Sequence, residues 1–436
     1  MQLPYSEELN ICFDVLDKSD EQYNYNEFSR NFNHFYREEE NAETEAVLKI
    51  IKEKEKNLDK IRGSLIGGAV GDALGYSIEF DSESSIFARY GEKGISEYAL
   101  DTFSGKAVIS DDTQMTLFTA NGLLVGNTRV AMRGIGGAPH CYVEGAYQDW
   151  LLTQDSSYSE VSSNKRYTEK GGSSWLLDVP ELFCRRAPGN TCLSALRHPN
   201  RAEDCIERPV NNSKGCGGIM RVAPVALLYD GSESGNVDIR NLDKEGAYVA
   251  AITHGHPLGY MPAAVVTHII NRMVYGPKMS LKEAVIEAQK TCSEIFEGFN
   301  HLDEMNQIID LAIELSENDE RDLNNIHKLG EGWVAEETLG IALYCALKYQ
   351  NDFSKAIAVA VNHKGDSDST GAVTGNILGA VVGYAAIEDQ WKRDLELHDV
   401  ILEMADDLCH GCRMSEYSSY RDPAWVRKYI EMHRYS

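Results

Sequence analysis

The sequence predicts an all-α protein. Strand signals are sparse, and apolar positions recur at helical spacing across roughly 63–125 and 215–412. Two segments also resemble each other, Gly63-SLI-Gly67-GAV-Gly71-DAL-Gly75 and Gly371-AVT-Gly375-NIL-Gly379-AVV-Gly383, each with four glycines at i, i+4 spacing. That spacing puts the glycines along one ridge of a helix. Each costs about 1 kcal/mol relative to alanine in a helix interior, so a compensating contact is required. Close backbone packing is the natural one, and the two helices are expected to cross at the centre of one domain. Asp72 interrupts the first ridge, which argues against a membrane pairing motif.

The elements follow in chain order. Residues 1–60 read as a polar, acidic N-terminal extension with scattered aromatics, ending in a charged amphipathic helix (ETEAVLKIIKEKEKNLDKIRG). It is either a helix docked on the main body or a partner-binding arm. Residues 61–436 read as the main domain. A short hairpin is expected near Tyr90–Ile109. Residues 127–215 are rich in Gly, Ser, Asn and Pro, and read as long loops with short helical pieces, GAYQDWLLTQ and SSWLLDVPELF. The apolar run Gly371–Ile387 is too short and interrupted for a membrane span and reads as a buried helix.

Composition narrows the partners. The 436 residues carry 42 Lys+Arg against 68 Asp+Glu, a net charge of −26. A duplex nucleic acid or an anionic membrane needs a basic face, so neither is expected as the main partner. The start, MQLPYSEELN, has no basic or apolar leader character, and the ten cysteines have no regular spacing. Reduced thiols and a cytoplasmic location are the expectation.

Candidate chemistry sits beside the glycine ridges. One block is Ser110-Asp111-Asp112-Thr113, the other Asp366-Ser367-Asp368-Ser369-Thr370. Each opens an apolar helix, so N-capping is the plain reading. Capping needs one such residue, whereas two paired-carboxylate blocks would repel one another without a cation. Ser110, Asp111, Asp112, Asp366, Asp368 and Ser369 supply enough hard oxygens for two ions with waters. Mg²⁺ or Mn²⁺ fits better than Zn²⁺, with Ca²⁺ left open. Two ions about 3.5–4 Å apart can activate a water and orient a sugar diol.

Three further features are weaker. Asn211–Arg221 is a Gly-rich loop that could present amides to a diphosphate, though a plain turn fits equally well. Thr253-His254-Gly255-His256-Pro257 suggests capping or hydrogen bonding to a substrate, with metal ligation less favoured. Glu79, closing the first glycine segment, is either a general acid/base or a surface carboxylate. No GxSxG elbow is present, and His140 and His363 receive no role.

The blocks GGAVGDALGYSIEF, ISDDTQMTLFTANGL, RRAPGNTCLSAL, SKGCGGIMRVAPVAL, THGHPLGY and NHKGDSDSTGAVTGNILGA, in this order, resemble the ADP-ribosylglycohydrolases over roughly residues 60–415. The resemblance implies a compact, orthogonal all-α domain, a binuclear Mg²⁺ or Mn²⁺ centre, and hydrolysis of the bond joining ADP-ribose to an acceptor side chain, often arginine. It implies metal carboxylates at Asp111, Asp112, Asp366 and Asp368, and hydroxyl ligands at Ser110 and Ser369. It places Glu79 near the scissile sugar and makes Glu79 and Asp111 the candidate acid/base groups. The loop with Ser213, Gly215, Gly217, Gly218 and Met220 matches a phosphate-contacting segment, and His254 and His256 stand as further substrate contacts. The N-terminal extension and the 127–215 segment depart from the pattern. Some members resemble immunity proteins, so an alternative is a bifunctional protein whose extension also occludes an ADP-ribosyltransferase toxin. An inactive structural relative is disfavoured by the intact carboxylate blocks.

Overall fold

The computed structural model describes residues 42–163, 174–198, 204–233, 235 and 237–431. The chain divides into two compact units, 1–54 and 55–436. Of the first, the described part is helix 42–54, without its side chains up to residue 53. The acidic aromatic stretch 1–41, and with it most of the expected partner-binding arm, lies outside the described residues.

The second unit is helical. Among the described residues no strand forms, and only the isolated bridges Ala107–Leu395 and Gly215–Val334 occur. Nine helices that frame the site are numbered here in chain order: α1 Ala42–Tyr76, α2 Asp111–Arg133, α3 Pro139–Asp155, α4 Ile239–Ala251, α5 Pro257–Tyr275, α6 Ala335–Lys348, α7 Phe353–Val361, α8 Ser367–Val382 and α9 His398–His410. No helix of the described residues is long and apolar enough to cross a membrane.

The glycine ridges meet as the spacing predicts, with one change of geometry. They run side by side, antiparallel, instead of crossing at one point. A Cβ on Gly63 would collide with the Gly379 carbonyl, one on Gly67 with Gly375 O, and one on Gly71 with Gly371 O. Gly75 faces the backbone of Ser367 and Asp368. Three i, i+4 steps at 1.5 Å per residue make this seam about 18 Å long. Gly383 caps α8, which ends at Val382, at φ +81°, and its backbone closes the end of the seam, 2.7 Å from where a Gly63 Cβ would stand. Gly68 lies off the ridge and leaves room for the Asn376 amide.

Two sequence expectations fail. The Tyr90–Ile109 hairpin does not form. Its tip is a tight turn, with Asp101 N donating to Lys106 O, but the flanks bond elsewhere. Ile95 is held by the Asn362 side chain, Tyr98 by Trp391 O, and Ala107 by the 394–396 backbone. The 127–215 segment holds more helix than its composition suggests. α2 runs to Arg133, and α3 buries Val143, Ala146, Tyr147 and Trp150 against the core. SSWLLDVPELF instead forms two short 3₁₀ turns, Trp175–Asp178 and Pro180–Leu182. Pro180 cannot donate to a continuing helix.

Because the seam has no room for a methyl group, Gly375→Ala should destabilise the protein by about 1–3 kcal/mol or more. Denaturant unfolding with far-UV circular dichroism measures this; a loss under about 0.5 kcal/mol would mean that the seam can relax.

Candidate active site

The seam delivers two chain segments to one place. The C-terminal end of α1 brings Asp72, Tyr76 and, just beyond it, Glu79. The antiparallel partner brings the N-terminus of α8 with Asp366, Asp368 and Ser369. The N-terminus of α2, with Ser110, Asp111 and Asp112, is fixed to α1 by Asp72. This carboxylate is fully buried and accepts from Ser110 N (2.9 Å), Thr113 N (3.0 Å) and Thr113 Oγ1 (2.5 Å). Asp72 was not among the site residues expected from the sequence. A lone aspartate inside a glycine-rich apolar helix is the mark by which it could have been found.

Capping and clustering both occur. Ser110 caps α2, its Oγ accepting from Asp112 N (3.1 Å). Asp366 caps α8, accepting from Ser369 N (3.3 Å). Asp111, Asp112 and Asp368 lie in the first turns of these helices, where the helix dipole favours negative charge. All of them, with Glu79, are buried.

Burial raises the Asp111, Asp112 and Asp368 carboxyls well above the usual carboxylate range, and neighbouring carboxylates add to the rise. For Asp111 these neighbours are Asp72 and Asp366; for Asp368 they include Asp112, Asp366 and Glu79. Burial pushes Glu79 up to about 9, helped by Asp366, Asp111 and Asp72. Asp72 rises to about 6 through burial, despite its four hydrogen bonds. Among the described residues, no basic side chain is among the largest influences on Asp111, Asp112, Asp368 or Glu79.

This donor set fits hard divalent cations. Among the described residues, Glu79 Oε2 and Asp112 Oδ2 are buried with no hydrogen-bond partner. The residues that would hold ions are Ser110, Asp111, Asp112, Asp366, Asp368 and Ser369. Among the described residues, no three His, Cys, Asp or Glu side chains form a ready coordination shell. The cluster is therefore a set of crowded carboxylates whose repulsion a cation would relieve.

Two further segments, around 186–189 and 216–220, close over the cluster. Asp111 N donates to Arg186 O (3.1 Å), and Gly189 N reaches Asp111 Oδ2 (3.4 Å). Between them Ala187 stands at φ +53°, a conformation costing about 1–3 kcal/mol in a non-glycine residue. Cys216 Sγ lies 2.7 Å from Asp366 Oδ2. Met220 also belongs here, its sulfur 3.8 Å from Ser369 Oγ.

The Gly-rich loop is anchored from within. Ser213 N donates to Asn211 Oδ1, Gly215 N to Ser213 Oγ, and Cys216 N to Trp333 O. These three amides are therefore engaged inside the protein. Gly218 is a packing glycine, with the Gly259 carbonyl 2.9 Å from where its Cβ would stand. His254 is buried against Gly215 and Gly217. His256 caps α5 instead, its Nδ1 accepting from Leu258 N (3.0 Å), and its ring packs on His301. The charges acting on His256 are His301, Lys214 and Glu304, none from the cluster.

The profile of the ADP-ribosylglycohydrolase family matches residues 53–417. The chain belongs to this family. It is 24% identical over 355 residues to an uncharacterized protein of Archaeoglobus fulgidus, covering 80% of this chain and 96% of that one. It is 24% identical over 356 residues to the ADP-ribosyl-[dinitrogen reductase] glycohydrolase of Rhodospirillum rubrum, covering 80% and 95%. Human ADP-ribosylhydrolase ARH3 is 23% identical over 222 residues, 45% of this chain and 58% of ARH3. A solved ADP-ribosylglycohydrolase-related protein complex shares the fold at TM-score 0.51 and 22% identity, covering 82% of this chain and 99% of that one. The all-α fold is thus the family's, and the chain is a hydrolase of the class that removes ADP-ribose from modified targets.

Two outcomes are expected from this geometry. Without divalent cation, Asp72 and Glu79 are stabilising in protonated form below their unfolded pKa values near 4. That contribution is lost as pH rises through about 6 for Asp72 and about 9 for Glu79. Thermal unfolding in EDTA should therefore fall in midpoint from pH 5 to 9, and Mn²⁺ should restore it. A flat profile would contradict the crowding. Asp72→Asn places an N–H₂ against the N–H groups of Ser110 and Thr113 and should lower metal affinity or turnover roughly 10–100-fold. Mn²⁺ titration by calorimetry checks it.

Proposed function

We propose that the chain uses two Mg²⁺ or Mn²⁺ ions to hydrolyse the N-glycosidic bond between ADP-ribose and a protein arginine. The observation that carries this reading is the convergence of Glu79, Asp111, Asp112, Asp366 and Asp368 in one buried cluster without a basic partner. The whole-length similarity to the dinitrogen reductase glycohydrolase adds support.

Bound ions would neutralise the carboxylates and lower the pKa of a water molecule. The remaining work falls to the chain's own groups. Asp111, held by Gly189 N, is the candidate base that takes a proton from the attacking water. Burial raises the Glu79 carboxyl above the usual carboxylate range, and that carboxyl is the candidate acid for the leaving guanidine. The water oxygen bonds to the anomeric carbon, and the carbon–nitrogen bond breaks. Residues 1–45 are proposed to bind a basic partner, such as an ADP-ribosyltransferase toxin.

The test is release of ADP-ribose from arginine-modified protein, beside a serine-linked substrate, with Mn²⁺ or EDTA. Release from the arginine substrate should require the metal and fall by at least ~10²-fold in Asp368→Ala. Release from the serine substrate alone would replace the acceptor, and full activity of Asp368→Ala would sink the site.

A further inference from the structure

Among the described residues Phe103 is the most exposed large apolar side chain, at 99%, and Phe80 follows it among the phenylalanines at 74%. Scattered singly, such side chains are ordinary on a protein surface. These two are set apart by how one is held and by where both stand.

Phe103 sits on a turn with a fixed backbone. Asp101 N donates to Lys106 O (2.8 Å) and Gly105 N to Asp101 O (2.9 Å), with Gly105 at φ +67°. The Asp101 carboxylate closes the tip. Its Oδ2 accepts from Phe103 N (3.0 Å), Ser104 N (2.8 Å) and Ser104 Oγ (3.0 Å). Hydrogen bonds to a carboxylate are about twice as strong as neutral ones. The ring is thus presented to solvent from an ordered backbone, which lowers the cost of binding through it.

The same turn is tied to the carboxylate cluster. Ala107 N donates to Asp394 O (2.8 Å) and Ile109 N to Glu396 Oε2 (3.1 Å), and Ser110 caps α2 directly after. Glu396 pairs with Arg186 (3.2 Å), whose carbonyl accepts from Asp111 N. The Arg186 charge acts both on Asp101, at the base of the turn, and on Tyr76, at the end of α1. Phe103 precedes Ser110 by seven positions, so their Cα atoms are at most about 25 Å apart. Phe80 follows Glu79 directly, and the chain passes there from the buried cluster to the surface in one residue.

We infer that Phe80 and Phe103 form a docking surface for the protein body of the substrate, so that ADP-ribose is removed from a protein in preference to the same linkage on a free amino acid. This rests on the proposed function, in which Glu79 faces the leaving acceptor. The protein that carries the acceptor then lies against the surface where the chain emerges from Glu79. That continuity with the site says what covers the two rings. Aromatic side chains are enriched in the cores of protein interfaces. A nucleic-acid target would meet a net charge of −26 and is disfavoured. A free ADP-ribosylated amino acid ends at the acceptor and brings no protein surface to bury either ring.

The test uses the full chain with Mn²⁺ and two substrates that share one bond, an arginine-ADP-ribosylated protein and free ADP-ribosyl-arginine. The native protein should cleave the protein substrate with a kcat/KM at least ~10-fold higher, the order expected for an interface anchor. Phe103→Ala and Phe80→Ala should each raise KM for the protein substrate about tenfold with kcat unchanged, the mark of lost uniform binding. Both constants for free ADP-ribosyl-arginine should stay native, and Phe103→Trp should keep the native KM for the protein substrate. Equal kcat/KM of the native protein on the two substrates overturns the inference. So does a native KM of Phe103→Ala for the protein substrate, or an equal loss on both substrates in either variant. Sedimentation of a native dimer that Phe103→Ala dissociates would assign the ring to a second copy and also overturn it. Cleavage of neither substrate by the native protein removes the proposed function and the docking surface with it. Cleavage of the free substrate keeps the proposed function, and the comparison of the two substrates then decides the docking surface alone.

Discussion

The contact on which everything else depends is the glycine seam between α1 and α8. It sets two helical backbones at a separation that no side chain would allow. Residues near 72–79 and 366–369 are thereby neighbours despite lying almost 300 positions apart. The energy comes from backbone packing along the seam, which offsets the poor helix propensity of its glycines. Because the helices are antiparallel, the C-terminal end of one meets the N-terminal end of the other. That arrangement puts Glu79 beside Asp366 and Asp368.

Charge is the second constraint. Several carboxyls are buried together, and the fold supplies only partial compensation. Two helix N-termini point into the cluster, and a few backbone amides bond to it. Asp72 shows how the compensation is divided. It is the most fully hydrogen-bonded of the group, yet burial still raises its pKa to about 6. Its bonds hold the start of α2 in place. The remaining acceptors, Glu79 Oε2 and Asp112 Oδ2, stay free to take a ligand.

Around this centre polar side chains act as internal anchors and as caps. His254 and His256 are two residues apart and chemically alike, yet they do different things. His254 is buried between Thr253 and the glycine loop, whereas His256 ends a helix. Arg221 lies behind His254, donating to Thr253 Oγ1 with its guanidinium over the Tyr147 ring. The family relationship explains why these parts occur together in one chain.

Much was legible in the sequence because it is local. Helical spacing gave the all-α class, and the two glycine ridges, read as a matched pair, gave the central contact. The blocks at 110–113 and 366–370 announced themselves because capping needs fewer carboxylates than they contain. Other features required the fold. The 90–109 segment looked like a hairpin, because turn residues are visible locally and bonding partners on distant loops are not. α3 was under-read, because Gly- and Ser-rich flanks diluted its period, and burial of Trp150 and Tyr147 outweighed propensity. Asp72 looked like an interruption, and only the position of α2 made it an anchor. Sequence determined which residue types and helical faces were available; tertiary structure decided which of them meet, because burial and hydrogen-bond direction act through space.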